Sequence, residues 1–367
     1  MRRFLCVVVL LAGCPAIYDA QYNDRKTALE KNRTLFLDDQ TRVQFYTAGD
    51  DRLFWIDTPQ TLEATELHSI DTRNGGQQLD YPWSKSIGVN TDGGPNIAFG
   101  DDLVVECEEA TAFDATSSSE QTSPFPSIST GSLPCTVAGG SAYFVFSEDG
   151  SNSFIWRWTP SQGSNLQQVE PLGTIGTSVN AIGFTDTSDS EFLYWEGNNL
   201  WLLPADGSSP PDAPLNMQNQ PAASGTVAFD NQGVVFVTSL GETSDEPFYL
   251  SYAQPGVVTA VSDMIKNGGY SLNFEHGDVQ DLASQGTYTI YQRNLVYEAS
   301  GGIFALNLDT GEVTDILLDG LPNSDDDIAP DYRNPQVTST GKLFVQDTSF
   351  LASQHPVYEV DLNAILR

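Results

Sequence analysis

The chain has 367 residues, with 16 Lys and Arg against 49 Asp and Glu, and a formal net charge of −33. Charged residues make up only 18% of the chain, below the roughly 25% of an average soluble protein, so the acidity reflects a scarcity of basic residues. This scarcity argues against direct nucleic-acid binding, because neutralising phosphates requires clustered Lys and Arg. The 40% hydrophobic and 11% aromatic content argues against a disordered chain. Asp outnumbers Glu, and since Asp favours turns, this predicts a turn-rich, all-β protein.

The first residues have the pattern of an export signal. Arg2 and Arg3 precede the apolar run 4–11, which is too short to span a bilayer that needs about 20 apolar residues. The run leads into the tetrad Leu-Ala-Gly-Cys, which ends at Cys14. We therefore predict that residues 1–13 are a cleaved signal peptide.

The tetrad resembles the lipobox of bacterial lipoproteins, which implies cleavage before Cys14 and acylation of its sulfur and its new amine. Pro15 follows in place of the Asp associated with inner-membrane retention, so the resemblance implies an exported protein at the outer membrane, attached through its lipid anchor only. The alternative is an ordinary signal peptide with Cys14 incidental. Cleavage would remove two Arg and no acid, leaving a charge of −35.

Residues 14–40 are polar and charged, and we interpret them as the lipidated Cys and a tether, with one short helix at 23–31. Residues 41–367 are expected to form the folded domain. Within that domain, Cys107 and Cys135 are an even pair in an exported chain, which predicts a disulfide. We expect this disulfide to close the base of a long polar loop. A zinc site is not expected, since partner ligands at zinc spacing are missing.

Short β-rich runs recur along the domain and indicate a repeat protein. Seven apolar or aromatic runs begin about every 48 residues, at positions 53, 103, 143, 192, 234, 295 and 343. Several are followed by a second strand and a turn rich in Asp and Gly, as in 200–207 and 303–311. Periods of 40–50 residues with several strands each are typical of propeller blades. We predict a single β-propeller of four-stranded antiparallel sheets with seven blades, or six if one copy is an insertion, closed by a strand at 42–47.

Two of these copies resemble known propeller repeats. The segment 193–208 is similar to the YWTD repeat of low-density-lipoprotein-receptor-type propellers, and 305–311 is similar to blades of TolB, BamB and quinoprotein propellers. Glu196 and Gly197 stand where the YWTD repeat has Thr and Asp, and the tryptophan-docking pattern of quinoproteins is missing. The resemblance implies architecture rather than family membership.

A recurring acid is the first candidate for a functional site. Asp57, Glu196, Glu298 and Asp347 each stand at the end of one of the seven apolar runs. Equivalent positions of propeller blades project onto one ring, so these four would favour a cation or a basic partner. The alternative is that strands simply end where polar turn residues begin.

The acidic run containing Asp325, Asp326 and Asp327 is the candidate metal site, because Ca²⁺ prefers oxygen-rich loops. A solvated loop is the alternative. Of the three histidines, His68 and His355 are expected to be packing or surface residues, and His276 is the one to test for function. No catalytic motif is assigned, and apart from Ca²⁺ no cofactor is expected.

The leading interpretation is a membrane-anchored binding or scaffolding propeller for an unknown protein or small-molecule ligand. A carboxylate-dependent hydrolase or lyase with its site at the channel mouth is the second, and a purely structural surface protein is the third. The acidity fits a domain held away from an anionic membrane, and adaptation to a saline habitat would give the same composition.

Overall fold

The computed structural model describes residues 20–37, 43–49, 51–57, 67–73, 76–81, 97–100, 103–107, 111–121, 135–138, 140–146, 154–162, 166–168, 179–184, 191–196, 199–204, 215–216, 223–238, 246–254, 257–265, 288–299, 301–319, 330–349 and 355–366. These residues form seven four-stranded antiparallel sheets. First strands of neighbouring sheets contact one another in six of the seven pairs, including the last sheet with the first, which arranges the sheets as blades around an axis. The prediction of an all-β propeller with four-stranded antiparallel blades is confirmed.

Six blades are continuous in sequence, each with its strands in chain order. Blade 1 contains β2 (Val43–Ala48), β3 (Arg52–Asp57), β4 (Leu67–Asp71) and β5 (Leu79–Tyr81). Blade 2 contains β6 (Ile97–Phe99), β7 (Leu103–Glu106), β8 (Thr111–Asp114) and β9 (Glu120–Gln121). Blade 3 contains β10 (Cys135–Ala138), β11 (Ser141–Phe146), β12 (Phe154–Trp158), a 3₁₀ turn (Pro160–Gln162) and β13 (Leu166–Gln168).

The next three blades follow the same order. Blade 4 contains β14 (Val179–Phe184), β15 (Glu191–Glu196), β16 (Asn199–Pro204) and β17 (Leu215–Asn216). Blade 5 contains β18 (Ala223–Phe229), β19 (Gly233–Thr238), β20 (Glu246–Ser251) and β21 (Val258–Ala260), followed by the helix α2 (Val261–Met264). Blade 6 contains β22 (Tyr288–Tyr291), β23 (Asn294–Ala299), β24 (Gly302–Asn307) and β25 (Val313–Leu318). Each of the seven repeated runs forms the second strand of one blade.

Blade 7 is completed by the beginning of the chain. It contains β26 (Tyr332–Val337), β27 (Lys342–Asp347) and β28 (Val357–Asp361), and its outermost strand is β1 (Arg33–Leu37). A short helix α3 (Leu362–Ile365) follows β28. The closing strand is thus 33–37 and not the predicted 42–47, which forms most of the first strand of blade 1. Closure between the two ends of the chain leaves no blade incomplete.

The interpretation of residues 14–40 as a free tether also needs correction. Residues 20–30 form the helix α1, close to the predicted 23–31, and we call α1 and β1 together (residues 20–37) the N-terminal strap. Tyr22 of α1 is buried, and its hydroxyl donates to the backbone oxygen of Asp319 at 2.8 Å. The Arg25 side chain pairs with Asp315 of β25 at 2.5 Å. The strap is therefore part of the propeller, because its side chains contact blade 6 and its strand β1 pairs with β28 of blade 7.

The core lies in layers between neighbouring blades. Leu295, Tyr297 and Phe304 pack with residues of blade 5, whereas Val296 and Ala305 pack with residues of blade 7. This alternation follows from the two-residue period of a strand, which sends successive side chains to opposite faces. Each fully buried large apolar side chain contributes about 1.5–3 kcal/mol. Among the described residues, none of the helices has the length and apolar character needed to cross a bilayer.

Cys107 and Cys135 form the predicted disulfide, with their Cα atoms 5.5 Å apart. Cys107 directly follows β7 of blade 2, and Cys135 begins the first strand of blade 3. The bond therefore joins two neighbouring blades. The prediction that the disulfide encloses a long polar loop is incomplete, because the enclosed segment contains the two outer strands of blade 2.

Candidate functional site

The two faces of the ring differ in their connections. First strands begin, and second strands end, at one face, which we call the long-connection face. The segments that link successive blades all start and end at this face: 82–96, 122–134, 169–178, 217–222, 265–287 and 319–331. The opposite, short-turn face carries hairpins such as those at 49–51, 139–140 and 292–293. Function concentrates on loops held by a rigid scaffold, so this asymmetry makes the long-connection face the candidate site.

The four acids of the predicted ring all lie at this face. Asp57 pairs with Val43 across the ladder, and Glu196 pairs with Val179. In both pairs the acid ends the second strand and its partner begins the first. Asp347 ends β27 opposite the beginning of β26, and Glu298 is the penultimate residue of β23. The structure thus places all four at equivalent ends of their blades, while their role as a ligand ring stays a prediction.

A fifth acid belongs to this set and was missed. Glu106 ends β7 opposite Ile97, the first residue of β6, and is buried. The signal was present in the sequence, because the apolar run 103–105 is followed directly by this glutamate.

Backbone irregularity accompanies the acids. The pairing of the first and second strands shifts register close to the beginning of β2, β14, β18 and β26. A β-bulge redirects side chains and is common beside functional sites. In β26 the shift includes Asn334, a non-glycine residue with φ of +55°. Four first strands therefore bend away from regular geometry at the face where the acids lie.

The best-described part of this face is a cluster at the junction of blades 6 and 7. We call it the junction cluster: Glu298, Asp319, Asp331, Arg333 and Asp347. Arg333 contacts Glu298 and Asp331, each at 2.7 Å. The second Glu298 oxygen accepts the backbone N–H of Asn334 at 2.8 Å. Glu298 thereby fastens blade 6 to the first strand of blade 7, and its side chain is only 5% exposed.

The other two buried acids of the cluster bind backbone groups. Asp319 directly follows β25, and its carboxyl accepts the backbone N–H of Tyr332 at 2.8 Å. Asp347 accepts from the backbone N–H of Asp331 at 3.2 Å and from the hydroxyl of Ser349 at 2.6 Å. Of the acids in the cluster, Asp331 is the most accessible, with a side chain 39% exposed. The buried acids hold the junction together and Asp331 faces solvent.

The electrostatics of the cluster set Asp319 apart. Burial raises its pKa, the nearby charges of Asp331, Glu298 and Asp347 add to the effect, and Arg333 opposes it, so the pKa rises to about 8. Burial disfavours the charge of Arg333, but the hydrogen bond and charge of Glu298 outweigh it and raise the pKa of this guanidinium. At neutral pH the raised pKa favours the protonated form of the Asp319 carboxyl.

The short-turn face has its own buried ion network, centred on Arg293. Its guanidinium reaches Asp230 at 2.7 Å, Asp309 at 2.9 Å and the hydroxyl of Tyr249 at 2.8 Å. Gln292 and Arg293 both have positive φ, as a tight two-residue hairpin requires. These contacts join blade 5 to blade 6 and largely bury the guanidinium. We therefore infer that the network stabilises the fold.

Of the predicted histidine and metal-site residues, the structure describes some and not others. His68 lies in β4, is buried, contacts Asp80 through Nδ1 at 2.7 Å and packs on Trp55, which fits the expected packing role. His355 lies just before β28. His276 and the run Asp325, Asp326 and Asp327 lie outside the described residues. Within the described ranges, no group of three or more His, Cys, Asp or Glu side chains is arranged to hold a metal ion.

Comparison with known proteins shows similarity of fold only. No protein-family model matches the chain, and a search of curated protein sequences finds no match. A solved prolyl endopeptidase structure is 15% identical, with a TM-score of 0.53, over 95% of this chain and 53% of its own. A puromycin-hydrolysing peptidase of Mycobacterium tuberculosis is 10% identical, with a TM-score of 0.49, over 84% of this chain and 49% of its own. The β-propeller domain of the trilobed protease from Pyrococcus furiosus is 9% identical, with a TM-score of 0.48, over 88% of this chain and 95% of its own.

This chain spans about half the length of the first two of these proteins. At such low identity the prolyl endopeptidase supports the propeller architecture and carries no information about substrate or residues. The class defined by the fold is therefore a β-propeller.

Proposed function

We propose that this chain is an exported, lipid-anchored propeller that binds a partner with its long-connection face. One observation carries the proposal: the strand ends that the inter-blade segments join, the bulged ends of the first strands and the five strand-end acids all lie at this face. The opposite face carries hairpin turns and the Arg293 ion network. A rigid ring with one elaborated face is the arrangement that binding modules use.

Charge favours a cationic partner. The chain carries −33 overall, and Asp331 presents a partly exposed carboxylate at the elaborated face. A surface of one sign speeds the encounter with a partner of the opposite sign and penalises like-charged partners. A basic protein segment or a polyamine-like ligand fits this chemistry, and either would bind more weakly at high salt.

The anchor is the second component of the proposal and rests on the sequence around Cys14. The propeller holds its own N-terminal strap, so attachment at Cys14 would keep the whole ring at the membrane. Mass spectrometry of the purified mature chain tests this component: a diacylglyceryl-modified N-terminal Cys14 is expected, and Cys14→Ser should abolish both modification and membrane retention. An unmodified Cys14 would remove the anchor from the proposal without affecting the binding face.

Binding is tested by crosslinking in the native cell, followed by identification of the captured partner and measurement of its affinity for two variants. Asp331→Lys reverses a charge on the long-connection face, and Asp309→Lys reverses one on the short-turn face. The two residues are matched, since each is an exposed acid paired with one arginine, at 2.7 Å and 2.9 Å. Only Asp331→Lys should weaken binding. Equal losses in both variants would contradict the proposal.

A carboxylate-dependent enzyme is a second candidate, favoured by one observation. Asp319 is a buried acid whose pKa is raised to about 8, and it lies among three other acids at the same face. A carboxyl that stays protonated near neutral pH is suited to general acid catalysis. The test is turnover: Asp319→Asn would abolish a hydrolase or lyase activity of the chain and would leave partner binding unchanged.

A further inference from the structure

We propose that the outer edge of blade 7, formed by residues 31–35 and called here the N-terminal edge, contacts the phospholipid surface to which Cys14 is attached. The proposal rests on the lipid anchor of the proposed function. It assigns an interaction surface to a part of the ring that is separate from the long-connection face. It also fixes which side of the propeller is turned toward the membrane.

Exposure of apolar surface gives the first observation. Among the described residues, two large hydrophobic side chains are exposed, Leu35 at 53% and Val257 at 49%. Leu35 lies on β1, the outermost strand of blade 7. Val257 precedes β21, the outermost strand of blade 5. A single exposed leucine is ordinary on a protein surface, so Leu35 is evidence of membrane contact only through its position relative to the lipid anchor.

The short stretch of chain between Cys14 and α1 limits how far the lipid can lie from the strap. Ala20, the first described residue of α1, is six positions after Cys14, and a fully extended chain of this length reaches about 20 Å. The helix is fixed to the ring by the buried Tyr22 and by the pair between Arg25 and Asp315. The strap then leads into β1 and Leu35. A lipid on Cys14 therefore keeps the side of the ring that carries the strap close to the bilayer.

Charge distinguishes the same segment from the rest of the molecule. After removal of residues 1–13 the chain keeps 14 Lys and Arg residues, and four of them lie within residues 25–33. The strap contains only two acids, Asp24 and Glu30, so it is positive within a strongly negative protein. Lys31 is exposed, four residues before Leu35. An exposed cation beside an exposed apolar side chain matches the headgroup region of an anionic membrane, which repels the acidic remainder.

An environment-sensitive fluorophore on a single introduced cysteine tests this orientation. Cys6 leaves with the signal peptide, Cys14 carries lipid, and Cys107 and Cys135 are joined, so Leu35→Cys supplies the one free thiol. Val257→Cys is the matched control, because it has nearly the same exposure on another blade. The lipidated full chain is placed in phosphatidylethanolamine vesicles that contain phosphatidylglycerol, with and without brominated acyl chains.

We expect the probe at position 35 to shift its emission to the blue and to lose fluorescence to brominated lipid, while the probe at 257 does neither. Equal quenching at both positions, or none at either, would overturn the proposal. A blue shift at 35 that appears without vesicles and grows with protein concentration would identify a second copy of the chain as the occupant, and would also overturn it. Mass spectrometry of Cys14 in the same sample separates these failures from failure of the anchor.

Discussion

Asp319→Asn should stabilise the protein by an amount that grows with pH. The carboxyl is 8% exposed, lies among Glu298, Asp331 and Asp347, and has a pKa raised to about 8 from an ordinary value of 3.8. The unfolded chain releases this proton near the ordinary value, whereas the folded chain retains it up to about pH 8. Between these two pH values the folded state binds more protons, so the wild-type protein loses stability as pH rises through this window.

The magnitude follows from the size of the shift. Each pKa unit corresponds to about 1.4 kcal/mol, so a shift of roughly four units sets a ceiling of about 6 kcal/mol above pH 8. Local relaxation toward Arg333 would reduce this, and we expect a measured gain of about 1–3 kcal/mol. The neutral amide of Asn has nearly the same size as the carboxyl and still has an oxygen to accept the backbone N–H of Tyr332.

Urea denaturation over the range from about pH 5 to about pH 9 measures the effect, as the difference in free energy of unfolding between variant and wild type. That difference should be small at the acidic end and rise toward the alkaline end. Asp263→Asn, on the exposed surface of α2, is the control for the substitution itself. A gain for Asp319→Asn that is independent of pH, or that falls as pH rises, would refute the reasoning.

Three further variants test the interactions that join the blades, each by urea denaturation. Cys107→Ser should cost about 2–4 kcal/mol, because the disulfide joins neighbouring blades across 28 residues of sequence. Arg293→Met should cost about 3–5 kcal/mol, since it leaves the buried carboxylate of Asp230 without its cation. Tyr22→Phe should cost about 1 kcal/mol, because the buried oxygen of Asp319 loses its hydroxyl donor.

Each of these predictions has a specific contrary outcome. A Cys107→Ser variant as stable as a wild-type protein kept oxidised would show that the disulfide is dispensable. If Arg293→Met and the milder Arg293→Lys had equal, negligible costs, the short-turn network would have no structural role. A neutral Tyr22→Phe, together with a neutral Tyr22→Ala, would show that the strap is not held by this side chain.

Local sequence patterns predicted the blades well. The seven apolar runs became the seven second strands because a blade's second strand is covered on both faces and reads as a continuous hydrophobic segment. The helix at 20–30 and the disulfide were likewise visible from local composition and cysteine spacing. These features depend on residues close in sequence or on a single pair.

Long-range pairing was harder to predict. The closing strand was assigned to 42–47, although 33–37 pairs with β28. Both segments are short β-formers, and only the partner at the far end of the chain decides between them. Similarly, Asp319 resembles any acid after a strand, and its burial depends on Tyr22 of the strap and on the first residues of blade 7.

Paired photo-crosslinking tests the central claim, partner binding at the long-connection face, most directly. A photoreactive amino acid is placed at position 331 or at position 309 of the otherwise unchanged, membrane-anchored chain, and crosslinked products are compared in living cells. We predict one reproducible adduct from position 331 and none from position 309. Equal adducts from both positions, or an adduct from 309 alone, would contradict binding at the long-connection face.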